Sequence, residues 1–182
     1  MRVISGIRRG LKLKAPDGIN TRPTTDRVKE SVFNIIQTHL PANKVLDLFS
    51  GSGALGIEAL SRGSENCVFV EKVREAYSIT EYNLNLSKLS DKARLLFMDS
   101  VSYLKSACES FDIIFLDPPY NKGFISPVLS LISERGLLAD KGIIVVETEK
   151  GGEEATHPDF KTIREATYGK TVINVLIRGE EK

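Results

Sequence analysis

Two short stretches carry the residue types that chemistry needs. The first is Asp117-Pro118-Pro119-Tyr120, delivered by the apolar run Phe111–Leu116. An exocyclic amine on a nucleobase is a poor nucleophile because its lone pair is delocalised into the ring. Two acceptors on its N–H groups localise that lone pair. The Asp117 carboxylate supplies one acceptor and the Pro118 carbonyl the other. Pro118 and Pro119 restrict the backbone that presents this carbonyl, and Tyr120 offers a face on which a base stacks. The expected catalysis is positioning and electrostatics, with the aligned amine attacking an electrophilic carbon. The plain alternative is an acidic turn after a strand, with Tyr120 as partial core.

The second stretch is the turn Asp47-Leu48-Phe49-Ser50-Gly51-Ser52-Gly53-Ala54-Leu55-Gly56. Gly51, Gly53 and Gly56 spell G-x-G-x-x-G, and Glu71 follows 20 residues after Gly51. In a strand–turn–helix setting this spacing predicts a nucleoside-type cofactor, with the acid on ribose hydroxyls. Asp47 discriminates between cofactors. A carboxylate beside a pyrophosphate adds like-charge repulsion, which disfavours NAD. The same carboxylate suits S-adenosylmethionine, whose ammonium and sulfonium are cationic. Asp47 as a simple cap of the turn is the competing reading. Asp99 and Ser100, after a third apolar run, are placed to meet the adenine, although Asp99 serves equally as a helix N-cap.

The elements that must position these residues follow from periodicity. Val28, Val32, Ile35 and Ile36 predict a helix from Asp26 to about His39, before Pro41. Strands are expected at Lys44–Phe49, Cys67–Glu71, Arg94–Met98, Phe111–Leu116 and Gly142–Thr148, with intervening helices to about Arg62 and over about 73–87, 100–108 and 124–134. Apolar runs alternating with helical patterns mean βαβ units and a parallel sheet buried on both faces. Phe160–Ala166 and Thr171–Ile177, joined at Tyr168-Gly169, form a terminal hairpin, so at least one strand is antiparallel. Residues 2–14 carry short β-type pieces around Gly6 and Gly10, and a turn-rich stretch runs from Ala15 to Pro23.

Composition narrows the class. With 182 residues, 41% hydrophobic and 27% charged, the chain is one globular domain with a sizeable core. No run approaches the ~18 apolar residues of a membrane helix, and the start lacks a signal-peptide core. Two cysteines and two histidines make a disulfide scaffold or zinc centre unexpected, and a reduced, cytoplasmic setting is predicted. The net charge of +1 hides an asymmetry: residues 1–44 carry +6 and the remainder −5. A basic front end predicts an anionic partner. Residues 1–43 are expected as a basic extension packed on a catalytic domain spanning 44–182. No heptad or partner helix is evident, so a monomer is expected.

Taken together, these segments resemble a known family. Asp-Pro-Pro-Tyr after a strand is similar to the amino-methyltransferase signature of class I S-adenosylmethionine-dependent enzymes. Met1–Gly6, Arg22-Pro23-Thr24-Thr25-Asp26-Arg27-Val28-Lys29-Glu30, the glycine turn and Glu58-Ala59-Leu60-Ser61-Arg62-Gly63 resemble the RsmD-type family, which methylates the N2 amine of one guanine in small-subunit ribosomal RNA. The resemblance spans almost the whole chain. It implies a Rossmann-like, seven-stranded, mostly parallel sheet with an antiparallel last strand, and S-adenosylmethionine as cofactor. It places Asp47, Gly51, Ser52 and Gly53 at the cofactor turn, Glu71 on the ribose, and Asp99 with Ser100 beside the adenine. Asp117 to Tyr120 would clasp the guanine amine. Arg8, Arg9, Lys12, Arg22 and Arg27 would meet phosphates of ribosomal RNA, within a small subunit or its assembly intermediate. The Asp-Pro-Pro-Tyr segment alone fits adenine-N6 methylation of DNA or RNA as well. A cofactor-bearing RNA-binding factor without catalysis and an NAD-dependent oxidoreductase are the other readings; the acid at Asp117 opposes the first, and Asp47 the second.

Overall fold

A computed structural model describes residues 1–15, 26–120 and 122–179. Arg22, the turn-rich stretch from Pro16 to Pro23 and Asn121 lie outside the described residues. Seven strands form one sheet: β1 Lys44–Asp47, β2 Asn66–Glu71, β3 Ala93–Phe97, β4 Phe111–Leu116, β5 Leu138–Glu149, β6 Phe160–Tyr168 and β7 Thr171–Arg178. Among the described residues, five α-helices accompany them: α1 Asp26–Ile35, α2 Ala54–Ser61, α3 Arg74–Ser87, α4 Ser100–Ser106 and α5 Ile125–Glu134.

The strand order is β3-β2-β1-β4-β5-β7-β6. β1 to β5 are parallel, and β7 runs antiparallel to both β5 and β6. The alternation of side chains explains why the central strands read as continuous apolar runs. Val45, Ile113, Phe115 and Val145 face one layer with α1 and α2, while Leu46, Ile114, Leu116 and Val146 face the other with α4 and α5. Phe33 of α1 packs against Phe115 of β4 with ring centroids 5.7 Å apart. Gly56 lets α2 lie close on β2, since a Cβ there would stand 2.3 Å from the Phe69 ring.

Several element ends differ from the sequence expectation, because backbone pairing rather than hydrophobicity sets them. The helix expected to reach His39 leaves α geometry after Ile35 and closes in a 3₁₀ turn, Gln37–His39, with His39 N bonded to the Ile36 carbonyl. β1 stops at Asp47, two residues before Phe49, as the chain turns from the Phe115 carbonyl to the Val70 carbonyl at Leu48 and Ser50. β5 begins at Leu138 rather than Gly142, across an irregularity in its pairing with β4. The β-type pieces of residues 2–14 reduce to one antiparallel bridge, Arg2 with Lys12, around a 3₁₀ turn at Gly6–Arg8.

That N-terminal arm is fastened to α2 by one carboxylate. Glu58 has no solvent exposure and accepts from Ile4 N (2.7 Å) and Ser5 N (3.0 Å). It also pairs with Lys29 Nζ of α1 at 3.2 Å and with Arg62 Nε at 2.8 Å. Lys29 is equally buried, and its ammonium donates to the Arg2 carbonyl at 2.5 Å. Burial pulls the Lys29 ammonium below its usual range, and Glu58 pulls it back up. Gly6 permits the contact: a Cβ there would sit 1.8 Å from the Ser61 carbonyl oxygen. Ser61 Oγ completes the dock, accepting from Arg8 N and donating to the Ser5 carbonyl.

Removing one partner of a buried ion pair leaves the other charge uncompensated, at a cost of about 3–5 kcal/mol. Glu58→Ala is therefore expected to destabilise the protein by that amount in urea unfolding. The Ile4 and Ser5 amides should also lose protection from hydrogen exchange. Unchanged stability would refute the anchoring role.

Candidate active site at the carboxyl ends of the strands

The sequence-predicted groups converge on the edge where β1 to β4 end. β1 and β4 are neighbours, with Asp47 opposite Phe115, so the glycine turn and the Asp117 segment leave the sheet side by side. The strand order reverses between them, the position at which open α/β sheets bind ligands.

The glycine turn is held by side chains from β2 and α3. Gly51 and Gly53 adopt positive φ of 55° and 75°, a backbone that other residues adopt only under strain. The Glu71 carboxylate accepts from Gly51 N at 2.9 Å and from Val73 N at 2.7 Å, which ties the turn to the end of β2. Thr80 Oγ1 donates to the Gly51 carbonyl at 2.9 Å. Asn83 Nδ2 donates to the Ser52 carbonyl (2.8 Å) and the Lys14 carbonyl (2.9 Å), while its Oδ1 accepts from Lys14 N. Asn83 thus joins the glycine turn to the end of the N-terminal arm.

Asp47 is buried, and its Oδ2 accepts from Gly56 N at 3.0 Å, so it caps the first turn of α2. Burial, helped by the charge on Glu71, pushes its carboxyl up to about 7, against the pull of the Gly56 amide. A carboxyl poised near neutrality ionises once a cation lies beside it. Asp99 caps α4, accepting from Val101 N and Ser102 N, and Lys72 Nζ stands 3.7 Å from its other oxygen. Lys72 also lies over the Phe124 ring, 4.8 Å from its centroid, and Phe124 packs on Phe49.

These residues fit S-adenosylmethionine. The carboxylates Asp47 and Glu71, and two buried hydroxyls with no partner among the described residues, Ser50 Oγ and Ser100 Oγ, offer polar groups along one edge, beside a turn that Gly51 leaves without a side chain. Among the described residues no cluster of histidine, cysteine or acidic side chains could hold a metal.

After β4, Asp117 is half-buried, Pro118 buried, Pro119 exposed and Tyr120 half-buried. Tyr120 Oη donates to Glu147 Oε1 of β5 at 2.7 Å. The basic front end is divided. Arg8 lies at the far end of α2, with Nη2 on the Lys88 carbonyl, and Arg9 beside it is exposed. α2 is about 12 Å long, and that length separates this pair from the glycine turn. Lys12 bridges Arg2, whose amide and guanidinium bond Asp26, and exposed Arg27 follows at the start of α1.

Sequence reasoning assigned no role to Glu58, Thr80, Asn83 or Glu147. A legible signal existed for two of them: Glu58 and Arg62 are spaced i, i+4, and Glu147 directly follows the apolar run Ile143–Val146.

The raised Asp47 carboxyl has a consequence for stability. Between about pH 4 and 7 the folded chain keeps a proton there that the unfolded chain has lost, so this group's contribution falls as pH rises and is flat above about 7. Asp47→Asn retains an acceptor for Gly56 N and should remove that slope. Urea unfolding of both proteins between pH 5 and 8 measures it, and parallel profiles would contradict the assignment.

Residues 1–177 match the family described as Conserved hypothetical protein 95. The chain is 43% identical to YlbH of Bacillus subtilis (strain 168) over 96% of its length and 97% of that protein. It is 35% identical to ribosomal RNA small subunit methyltransferase D of Escherichia coli (strain K12), covering 98% of this chain and 90% of that one. The structure of the Escherichia coli protein yhhF superposes with a TM-score of 0.87 at 36% identity, over 98% and 97% of the two chains. With a glycine turn, an acid on each of three strand ends and an Asp-Pro-Pro-Tyr segment on this sheet, the chain belongs to the RsmD/YlbH family of S-adenosylmethionine-dependent ribosomal RNA methyltransferases.

Proposed function

We propose that the protein methylates the exocyclic N2 amine of a guanine in small-subunit ribosomal RNA. The observation that carries this reading is the adjacency of β1 and β4, which sets Asp117 to Tyr120 beside the glycine turn. The small-subunit specificity named for the Escherichia coli relative supports the choice of substrate.

When bound, S-adenosylmethionine supplies an electrophilic methyl group on a sulfonium. The chain's residues do the rest. The amides and carbonyls of Gly51 to Gly53 line the turn beside the cofactor, Glu71 takes the ribose hydroxyls, and Asp99 and Ser100 border the adenine. Asp47 offers a carboxylate to the cationic end. Asp117 and the Pro118 carbonyl accept from the two N–H groups of the guanine amine and turn its lone pair outward. Asp117 would stabilise the positive charge that develops on the amine nitrogen and accept the proton that nitrogen gives up. Tyr120 provides the stacking face, and exposed Arg9, Lys12 and Arg27 meet phosphates, an interaction that weakens with salt.

Transfer of labelled methyl to small subunits from cells lacking this gene, followed by digestion to nucleosides, tests the reading. N2-methylguanosine is expected, whereas N6-methyladenosine would replace guanine by adenine as the target base. Asp117→Ala should lower the rate at least about 100-fold, with S-adenosylmethionine binding by calorimetry retained. A fully active Asp117→Ala protein would sink the mechanism.

A further inference from the structure

Glu147 is an anomaly in β5. Its neighbours Ile143, Ile144, Val145 and Val146 are buried and apolar, and Ile173 stands opposite on β7. Glu147 itself is only 6% exposed. A carboxylate in such surroundings is costly to desolvate, and the strand would accept valine there. Its place explains its presence. Leu116 pairs with Val146 across the parallel β4–β5 ladder, so Glu147 comes level with Asp117, one strand over. From there its Oε1 takes the Tyr120 hydroxyl at 2.7 Å. Thr171, buried at the start of β7, lies beside the phenol oxygen.

We propose that Glu147 is a positioning residue for methyl transfer, fixing the Tyr120 ring as the wall against which the target base stacks next to Asp117 and Pro118. A phenol tethered at its oxygen has one ring position rather than a fan of rotamers. A stacked base is then held at one depth relative to the Asp117 carboxylate, and a displacement near 1 Å in such a contact costs about 100-fold in rate. Burial, with the Glu147 charge added, holds the Tyr120 phenol well above its usual range, so it remains a donor throughout the working pH. The proposal rests on the reading of Tyr120 as the base-stacking face.

The test compares Glu147→Ala, Glu147→Gln, Tyr120→Phe and the Glu147→Ala/Tyr120→Phe double variant. The readouts are kcat and KM on small subunits, S-adenosylmethionine affinity, and the Tyr120 hydroxyl proton by NMR without RNA. Glu147→Ala and Tyr120→Phe should each lower kcat about 10- to 100-fold, with cofactor affinity within about twofold of the parent. The double variant should be no worse than the poorer single, because both remove one contact. Glu147→Gln keeps an acceptor at the same place and should recover most of the rate. The slowly exchanging hydroxyl signal should vanish in Glu147→Ala and persist in Glu147→Gln. Wild-type rate in Tyr120→Phe, additive losses in the double variant, or Glu147→Gln as poor as Glu147→Ala would each overturn the proposal. Should Glu147→Ala fail to fold, Glu147→Gln and Tyr120→Phe decide by the same criteria. A parent enzyme that methylates no ribosomal RNA would instead refute the substrate reading, while the hydroxyl signal still reports the contact.

Discussion

Everything in the first half of the molecule hangs on a carboxylate that water does not reach. Glu58 gathers two backbone amides of the N-terminal arm, the Lys29 ammonium and the Arg62 guanidinium. An isolated buried carboxylate would be ruinous, and so would an isolated buried ammonium. Each makes the other tolerable, and the geometry works only if the arm, α1 and α2 all sit in their native places. The consequence is cooperative: no one of these elements has a satisfactory position without the other two. Because α2 grows directly out of the glycine turn, the pose of this far assembly is also the pose of the cofactor loop.

The same economy governs the reactive edge. Asp47 caps α2, Glu71 ties the turn to β2, and Asp99 caps α4. Each acid that the sequence offers as a ligand is first a fastening for the backbone. A carboxylate has about four acceptor sites, so fastening leaves capacity for a hydroxyl or an ammonium. The arrangement makes the site stiff before anything binds, which suits a reaction whose barrier is lowered by alignment rather than by a covalent intermediate. It also divides the edge, with Asp47, Glu71 and Asp99 at the ends of β1, β2 and β3, and Asp117 and Glu147 on the β4–β5 side.

The fold was largely legible because its signals are local. Short apolar runs alternate with amphipathic stretches, and the terminal hairpin is announced by Tyr168-Gly169. The errors fall at ends such as Phe49, His39 and Gly142, where a hydrogen bond to a neighbouring strand or a 3₁₀ turn decides and hydrophobicity does not. The site divides in the same way. Asp117 to Tyr120 and Gly51 to Gly56 are contiguous and carry their meaning in spacing. Glu58, Asn83 and Glu147 act on partners 27 to 69 residues away, and no window of sequence contains both ends of such a contact. The basic front end was legible as charge but not as geometry, since Arg8 and Lys12 end up on different parts of the surface.

The N-terminal arm also sets an order of events during synthesis. Residues 1–14 leave the ribosome before the groups that hold them: Asp26 and Lys29 follow Arg2 within 27 residues, Glu58 and Ser61 come after more than fifty, and Asn83 after 69. Before α2 emerges the arm has its own bridge between Arg2 and Lys12 and the contacts of Arg2 with Asp26 and Lys29 of α1. The arm reaches its final place only when α2 and α3 are both present. A chain interrupted before Asn83 would lack the amide that joins the Ser52 carbonyl to Lys14, although Glu71 and Thr80 already hold Gly51.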